Sequence, residues 1–265
     1  MGNLDGRVVL VTGAGRGLGH GVARGLAVHG ATVVAVSRTE SELADLVGAT
    51  REAAGAVAPF PVDLARAGAP GELARTVIER FGRLDVLINN AAVLRNRAFM
   101  ELTEDEYDTT IEVNLLAPVR LARAFLPSMI ARGSGAIVNV SSRAGVQPFA
   151  NETDYCAAKY GLEGFSFALA LELRSHNISV NVVTPGYRIK PTSVTAAEFA
   201  AWPAERRAEY RDPIDMADAF AFLALQDGSG VTGQRFNAYD LAERVRREGW
   251  DWNNAQSATG SSGRD

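Results

Sequence analysis

Seven short apolar runs recur along the chain with longer helical patterns between them, and this alternation leaves few architectures open. The runs are Arg7 to Thr12, Thr32 to Val36, Val57 to Val62, Val86 to Asn89, Ala136 to Val140, Ile178 to Val183 and Arg235 to Ala238. Most are nearly continuous rather than alternating in polarity, as parallel strands covered on both faces are. Helical patterns fill Leu18 to His29, Glu40 to Ala54, Gly71 to Phe81, Thr103 to Ala131 and Asp154 to Ser175. Pro118 and Pro127 fall inside the fourth, which predicts a kink or break there. Alternating strands and helices connect by right-handed crossovers, so the expected fold is α/β, a doubly wound parallel sheet of about seven strands with helices on both faces. Residues 1–252 read as one domain and the polar run 253–265 as a disordered tail. A charged helix, Leu241 to Glu248, and Trp250-Asp251-Trp252 follow the last strand, and they pack either on their own domain or on a neighbouring subunit.

Composition narrows the function. With 27 Lys and Arg against 31 Asp and Glu, the formal charge is −4, and a nucleic-acid partner is not expected. Cys156 is the single cysteine, so no intrachain disulfide forms and a reducing cytoplasm is the expected compartment. No segment reads as a signal peptide or as the roughly 20 apolar residues of a membrane span, so no membrane partner is expected. His20, His29 and His176 make no metal-like cluster, and no metal is required.

Directly after the first run comes Thr12-Gly13-Ala14-Gly15-Arg16-Gly17-Leu18-Gly19, and a helix follows. Glycines there let the backbone approach a pyrophosphate, which then sits at a positive helix N-terminus. At the end of the second strand, an acid would bind a ribose 2′-hydroxyl and repel a 2′-phosphate. This chain has Ser37-Arg38 there, and Arg16 in the glycine turn, so two guanidinium groups and a hydroxyl suit a phosphate and predict NADP(H). Tyr155 and Lys159 lie one helical turn apart, so an ammonium near the phenol would favour phenolate and tune the tyrosine for proton transfer.

The glycine spacing resembles the T-G-x-x-x-G-x-G turn of the short-chain dehydrogenase/reductase family, and the likeness runs along nearly the whole chain. It implies a Rossmann-type fold with cofactor contacts from Gly13, Arg16, Gly17, Leu18 and Gly19, from Ser37 and Arg38, and from Asp63 with Leu64 near the adenine. Asn89-Asn90-Ala91-Ala92 matches the family's N-N-A-G segment, with Ala92 in place of the usual glycine, which places Asn90 and Ala91 along the cofactor cleft. Thr184-Pro185-Gly186 matches the turn that precedes the carboxamide contacts, so Pro185 and Gly186 join the cofactor set. The resemblance assigns catalysis to Asn114, Ser142, Tyr155 and Lys159, with Tyr155 and Lys159 also touching cofactor. In the family the serine precedes the tyrosine by the interval between Ser142 and Tyr155, and Asn114 helps hold a water that links the lysine to solvent. It further implies hydride transfer from the pro-S face of the nicotinamide and a homo-oligomer, tetramer or dimer.

Two segments depart from the family pattern. Arg188 and Lys190 stand where an apolar residue and a threonine are usual, with Thr192 further along, and the two cations meet solvent, the cofactor pyrophosphate or an acidic substrate. Asn237-Ala238-Tyr239-Asp240 replaces a terminal glycine pair. The expected activity is NADP(H)-dependent hydride transfer between a small carbonyl compound and its secondary alcohol. Within enzymes, the runner-up is an NADP-linked dehydrogenase of a sterol, sugar or polyol rather than an acyl thioester reductase. The alternative from another class is an NADP(H)-binding redox sensor or scaffold without turnover, against which the intact Ser142, Tyr155 and Lys159 argue.

Overall fold

The computed structural model describes residues 4–190, 194 and 196–251. Thr192, Trp252 and the tail 253–265 therefore lie outside the described residues. Seven parallel strands form one sheet in the order β3-β2-β1-β4-β5-β6-β9. They are β1 (Val8–Thr12), β2 (Thr32–Ser37), β3 (Ala56–Pro61), β4 (Val86–Asn89), β5 (Gly135–Val140), β6 (Ile178–Thr184) and β9 (Arg235–Asn237). The short strands β7 (Arg188–Ile189) and β8 (Tyr210–Arg211) pair apart from it.

The near-continuous apolar runs have a simple cause: both faces of the sheet are covered. In β1, Val9 and Val11 enter one core, with Val22 and Leu26 of α1 (Gly17–Val28), Leu43 and Leu46 of α2 (Glu40–Ala49) and Phe220 of α9 (Ala217–Ala224). Val8 and Leu10 enter the other, with Leu73 of α3 (Ala69–Phe81), Phe125 of α5 (Ala117–Arg132) and Leu173 of α6 (Thr153–Leu173). Sequence order reverses between β1 and β4, so the carboxyl ends of these strands open a crevice at the switch point where α/β sheets hold their ligands.

Several boundaries moved, each for a local reason. Helix α2 stops at Ala49 rather than Ala54, because the Thr50 hydroxyl donates back to the carbonyls of Leu46 and Val47 as the chain turns. The run Thr103 to Ala131 stays helical throughout but changes its ladder: α4 (Glu104–Ile111) passes into a π-helical turn, Glu112–Leu116, and Pro118 stands in the first turn of α5. Pro127 remains inside α5. Helix α9 has no amphipathic period to reveal it, because Ala217 and every residue from Ala219 to Ala224 is buried. Two short helices, α7 (Ala196–Ala200) and α8 (Ala204–Arg207), stand between β7 and β8.

The continuous helical run Glu104–Arg132 is long and apolar enough, by length and composition, to cross a membrane, which corrects the expectation that no stretch came near that limit. Here Leu121, Phe125 and Met129 face the core, so the run is built as a helix of the globule. The C-terminal strand ends at Asn237, whose side chain accepts from the N–H groups of Tyr239 and Asp240 and starts α10 (Ala238–Glu248) three residues earlier than expected. Leu241, Ala242 and Val245 of α10 join the core beside α9, so this helix packs on its own domain.

Candidate active site

The glycine turn leads from β1 into α1, and Gly13 and Gly17 both take positive φ, +66° and +58°. A Cβ on Gly19 would stand 2.2 Å from the Gly13 carbonyl oxygen and 2.4 Å from Asn90 Nδ2, so only glycine permits this closure. Asn90 locks the turn from β4: its Nδ2 donates to the Thr12 carbonyl at 2.8 Å, and the N–H groups of Asn90 and Ala91 both donate to Thr12 Oγ1 at 2.9 Å. Helix α1 starts with no side-chain cap and no acid in its first turn. Its first N–H groups are thus available to an anion, and the site fits a dinucleotide phosphate.

A cleft of about 340 Å³ opens beside this turn. It is lined by Gly13, Arg16, Gly17, Leu18, Gly19, Ser37, Arg38, Asp63, Leu64, Asn90 and Ala91, which the sequence had singled out. Pro185 and Gly186, at the end of β6, are not among its lining residues. Gly186 instead packs on Asn237, whose side-chain atoms lie about 2.0 Å from where a Cβ would stand. The lining also includes Val113, adjacent to Asn114 in the π turn, and a carboxylate that sequence reasoning missed, Glu42. An acid is absent from the end of β2, but the fold brings one back from α2.

The catalytic candidates gather where β5 meets α6. Ser142 follows β5 and its hydroxyl accepts from the Ala144 N–H at 3.2 Å. Tyr155, in the first turn of α6, is nearly buried, and the Ser142 side chain acts on its phenol. Lys159 is buried one turn on, with Nζ donating to the Val140 carbonyl at 2.8 Å and lying 5.6 Å from the centre of the Tyr155 ring. Asn114 is fully buried: its Oδ1 accepts from the Val93 N–H at 2.9 Å and its Nδ2 donates to the Val93 carbonyl at 2.7 Å. This pairs the π turn with the loop after β4, while the same turn packs on α6. An asparagine amide thus closes both backbone groups of one residue where the regular helical ladder is interrupted.

The electrostatics corrects one expectation. Burial pushes the Tyr155 phenol up, and the Ser142 hydrogen bond pulls it only part-way back. Lys159 does not hold the phenol down here, because its ammonium is turned to the Val140 carbonyl. Burial lowers Lys159 to about 8, against a raising effect from Glu163. A neutral phenol is a proton donor, which suits protonation of a carbonyl oxygen.

A second feature escaped the sequence. Glu163, buried one turn beyond Lys159, accepts from Arg235 Nε at 3.0 Å, and Arg235 Nη2 donates to the Ser142 carbonyl at 3.0 Å. The arginine comes from edge strand β9, 72 residues away from Glu163, and ties the serine loop to the tyrosine–lysine helix. No local spacing could reveal it. Arg188 and Lys190, by contrast, turn from the cofactor cleft: Arg188 forms an exposed ion pair with Glu209 at 2.8 Å, and Lys190 Nζ donates to the Val194 carbonyl at 2.8 Å.

Ser142, Tyr155 and Lys159 are not among the residues lining that cleft. Together, a parallel sheet with a glycine-rich phosphate turn at its switch point, and a serine, tyrosine and lysine where β5 meets α6, define a nucleotide-dependent oxidoreductase architecture. The profile of the short chain dehydrogenase family matches residues 7–201. Among relatives, the chain is 34% identical over 234 residues to the 3-oxoacyl-acyl-carrier-protein reductase of Thermotoga maritima, covering 87% of this chain and 95% of that protein. It is 38% identical over 240 residues to the L-xylulose reductase of Homo sapiens, covering 86% and 93%. A solved metagenomic short-chain oxidoreductase in complex with NADP superposes with a TM-score of 0.75 at 36% identity, over 88% of this chain and 97% of that one. The chain belongs to the short-chain dehydrogenase/reductase family.

Proposed function

We propose that the chain is an NADP(H)-dependent reductase of a small carbonyl compound, running in reverse as a secondary-alcohol dehydrogenase, with Tyr155 as general acid and base. The observation that carries this reading is the nearly buried Tyr155, its phenol influenced by the Ser142 hydroxyl, with the buried Lys159 Nζ 5.6 Å from its ring centre. The bound nicotinamide supplies or takes the hydride. Ser142 holds the substrate oxygen against the phenol, and Tyr155 gives it a proton as the C–H bond forms. Lys159, charged below its value of about 8, is the nearby proton source that restores the tyrosine. Asn114 holds the π turn against α6 through the Val93 backbone. Arg16, Ser37 and Arg38 support a 2′-phosphate, and the likeness to an NADP complex supports it further. Exposed Tyr160, Phe167 and Leu171 along α6 support a homo-oligomer packed on that helix. The lone, buried Cys156 supports a reducing, cytoplasmic setting.

The test is loss of NADPH absorbance on a panel of ketoses, diketones and 3-oxoacyl thioesters, the first and last chosen because the two relatives are named for such substrates. Turnover on at least one class is expected. Tight NADPH binding with no turnover on any would favour the sensor or scaffold alternative.

A further inference from the structure

The carboxylate of Glu42 occupies ground that the proposed 2′-phosphate needs. Ser37 Oγ donates to its Oε2 at 3.3 Å, and Arg16 Nε lies 3.9 Å from its Oε1. The carboxylate also rests over the glycine turn: a Cβ on Gly15 would stand 2.4 Å from Oε2 and 2.6 Å from Ser37 Oγ. Arg16 and Ser37 therefore converge, beside the glycine turn, on an anion that the chain itself supplies. Glu42 is in the first turn of α2 and its side chain is 27% exposed, so it can turn out to solvent. Its contact with Arg16, 69% exposed, is long and solvated and holds it only weakly.

We propose that Glu42 is an internal counter-anion of the 2′-phosphate subsite and sets how far the cleft prefers NADPH over NADH. The proposal rests on the NADP(H) reading above. When a 2′-phosphate enters, Ser37 and Arg16 must leave the carboxylate, which is then repelled at short range by a group of like charge. When the ribose carries a 2′-hydroxyl instead, Glu42 can stay and accept from it, as acids at the end of the second strand do in NAD-binding folds. Arg16 and Arg38 favour the phosphate while Glu42 opposes it, so selectivity is a difference between opposed charges.

The experiment compares wild type with E42Q and E42A. NADPH and NADH affinities are measured by fluorescence titration, and 2′,5′-ADP and 5′-AMP are used as probes that lack the nicotinamide. Both variants are expected to bind NADPH and 2′,5′-ADP about tenfold more tightly, equivalent to about 1.4 kcal/mol. NADH and 5′-AMP are expected to hold steady or weaken. The gain should shrink in high salt, because the repulsion removed is partly solvated. An unchanged NADPH/NADH ratio in both variants overturns the role of Glu42. A wild type that binds 2′,5′-ADP no better than 5′-AMP, with no loss in R38L, overturns the phosphate reading itself. A gain for phosphate ligands in E42Q from a wild type with little preference supports Glu42 as the reason that preference is small.

Discussion

Lys159→Met should stabilise the fold while abolishing turnover. The Lys159 side chain is 2% exposed, and burial lowers its ammonium from the ordinary 10.5 to about 8. At about 1.4 kcal/mol per pH unit, that interval means the charged lysine costs the native state about 3 kcal/mol. The cost is fully present below about pH 8, where the lysine is protonated folded and unfolded alike. Between about 8 and 10.5 the unfolded chain binds the proton and the native chain does not, so wild-type stability rises with pH across that window. Methionine fills similar space without charge but gives up the bond to the Val140 carbonyl, worth about 1 kcal/mol. The net expectation is a gain of about 1–3 kcal/mol near neutral pH, fading toward the alkaline end. Urea unfolding of both proteins at about pH 7 and about pH 9.5 reads it directly. Parallel stability profiles across that range, or a loss at neutral pH, would refute the claim that Lys159 is held charged against its surroundings.

Arg235→Met leaves the Glu163 carboxylate buried without its guanidinium; since Arg235 is itself 30% exposed, the loss should be about 2–3 kcal/mol. The same change frees the Ser142 carbonyl, so kcat/KM should fall about tenfold while NADPH affinity stays within about twofold. Combining it with Glu163→Gln should cost less than the sum of the single changes, and strict additivity would contradict the clamp. Truncation after Tyr239 removes buried Leu241, Ala242 and Val245 and the Trp250 edge contact with His29 at 5.5 Å, so Tm should fall by several degrees. An unchanged melt would make α10 peripheral.

What could be read in the sequence was whatever is encoded within a few residues or in a long apolar period. The Thr12–Gly19 turn, the strands buried on both faces, and Tyr155 one turn from Lys159 are of that kind, and the cleft assembles every turn and β2 residue assigned to it. Features set by tertiary return were not legible. Glu42 enters the cleft because α2 folds back over the end of β2, and Arg235 meets Glu163 because β9 lies beside β6. The direction of the Tyr155 shift was misjudged for a related reason: spacing placed the lysine near the phenol, but desolvation and the Val140 carbonyl decide where its charge goes. Pro118 pointed to a kink or break in the long helix, yet the helix continues through a π turn around Asn114 just before it, held by the Val93 backbone.

The most direct test of the central claim is NADPH oxidation by wild type and Tyr155→Phe on one carbonyl substrate, with NADPH binding titrated in parallel. The phenylalanine ring keeps the packing against Ala144 and Cys156 and loses only the proton donor. Turnover should drop by about 10²–10⁴ while NADPH affinity stays within a few fold. A Tyr155→Phe variant that reduces the substrate at the wild-type rate would contradict the account.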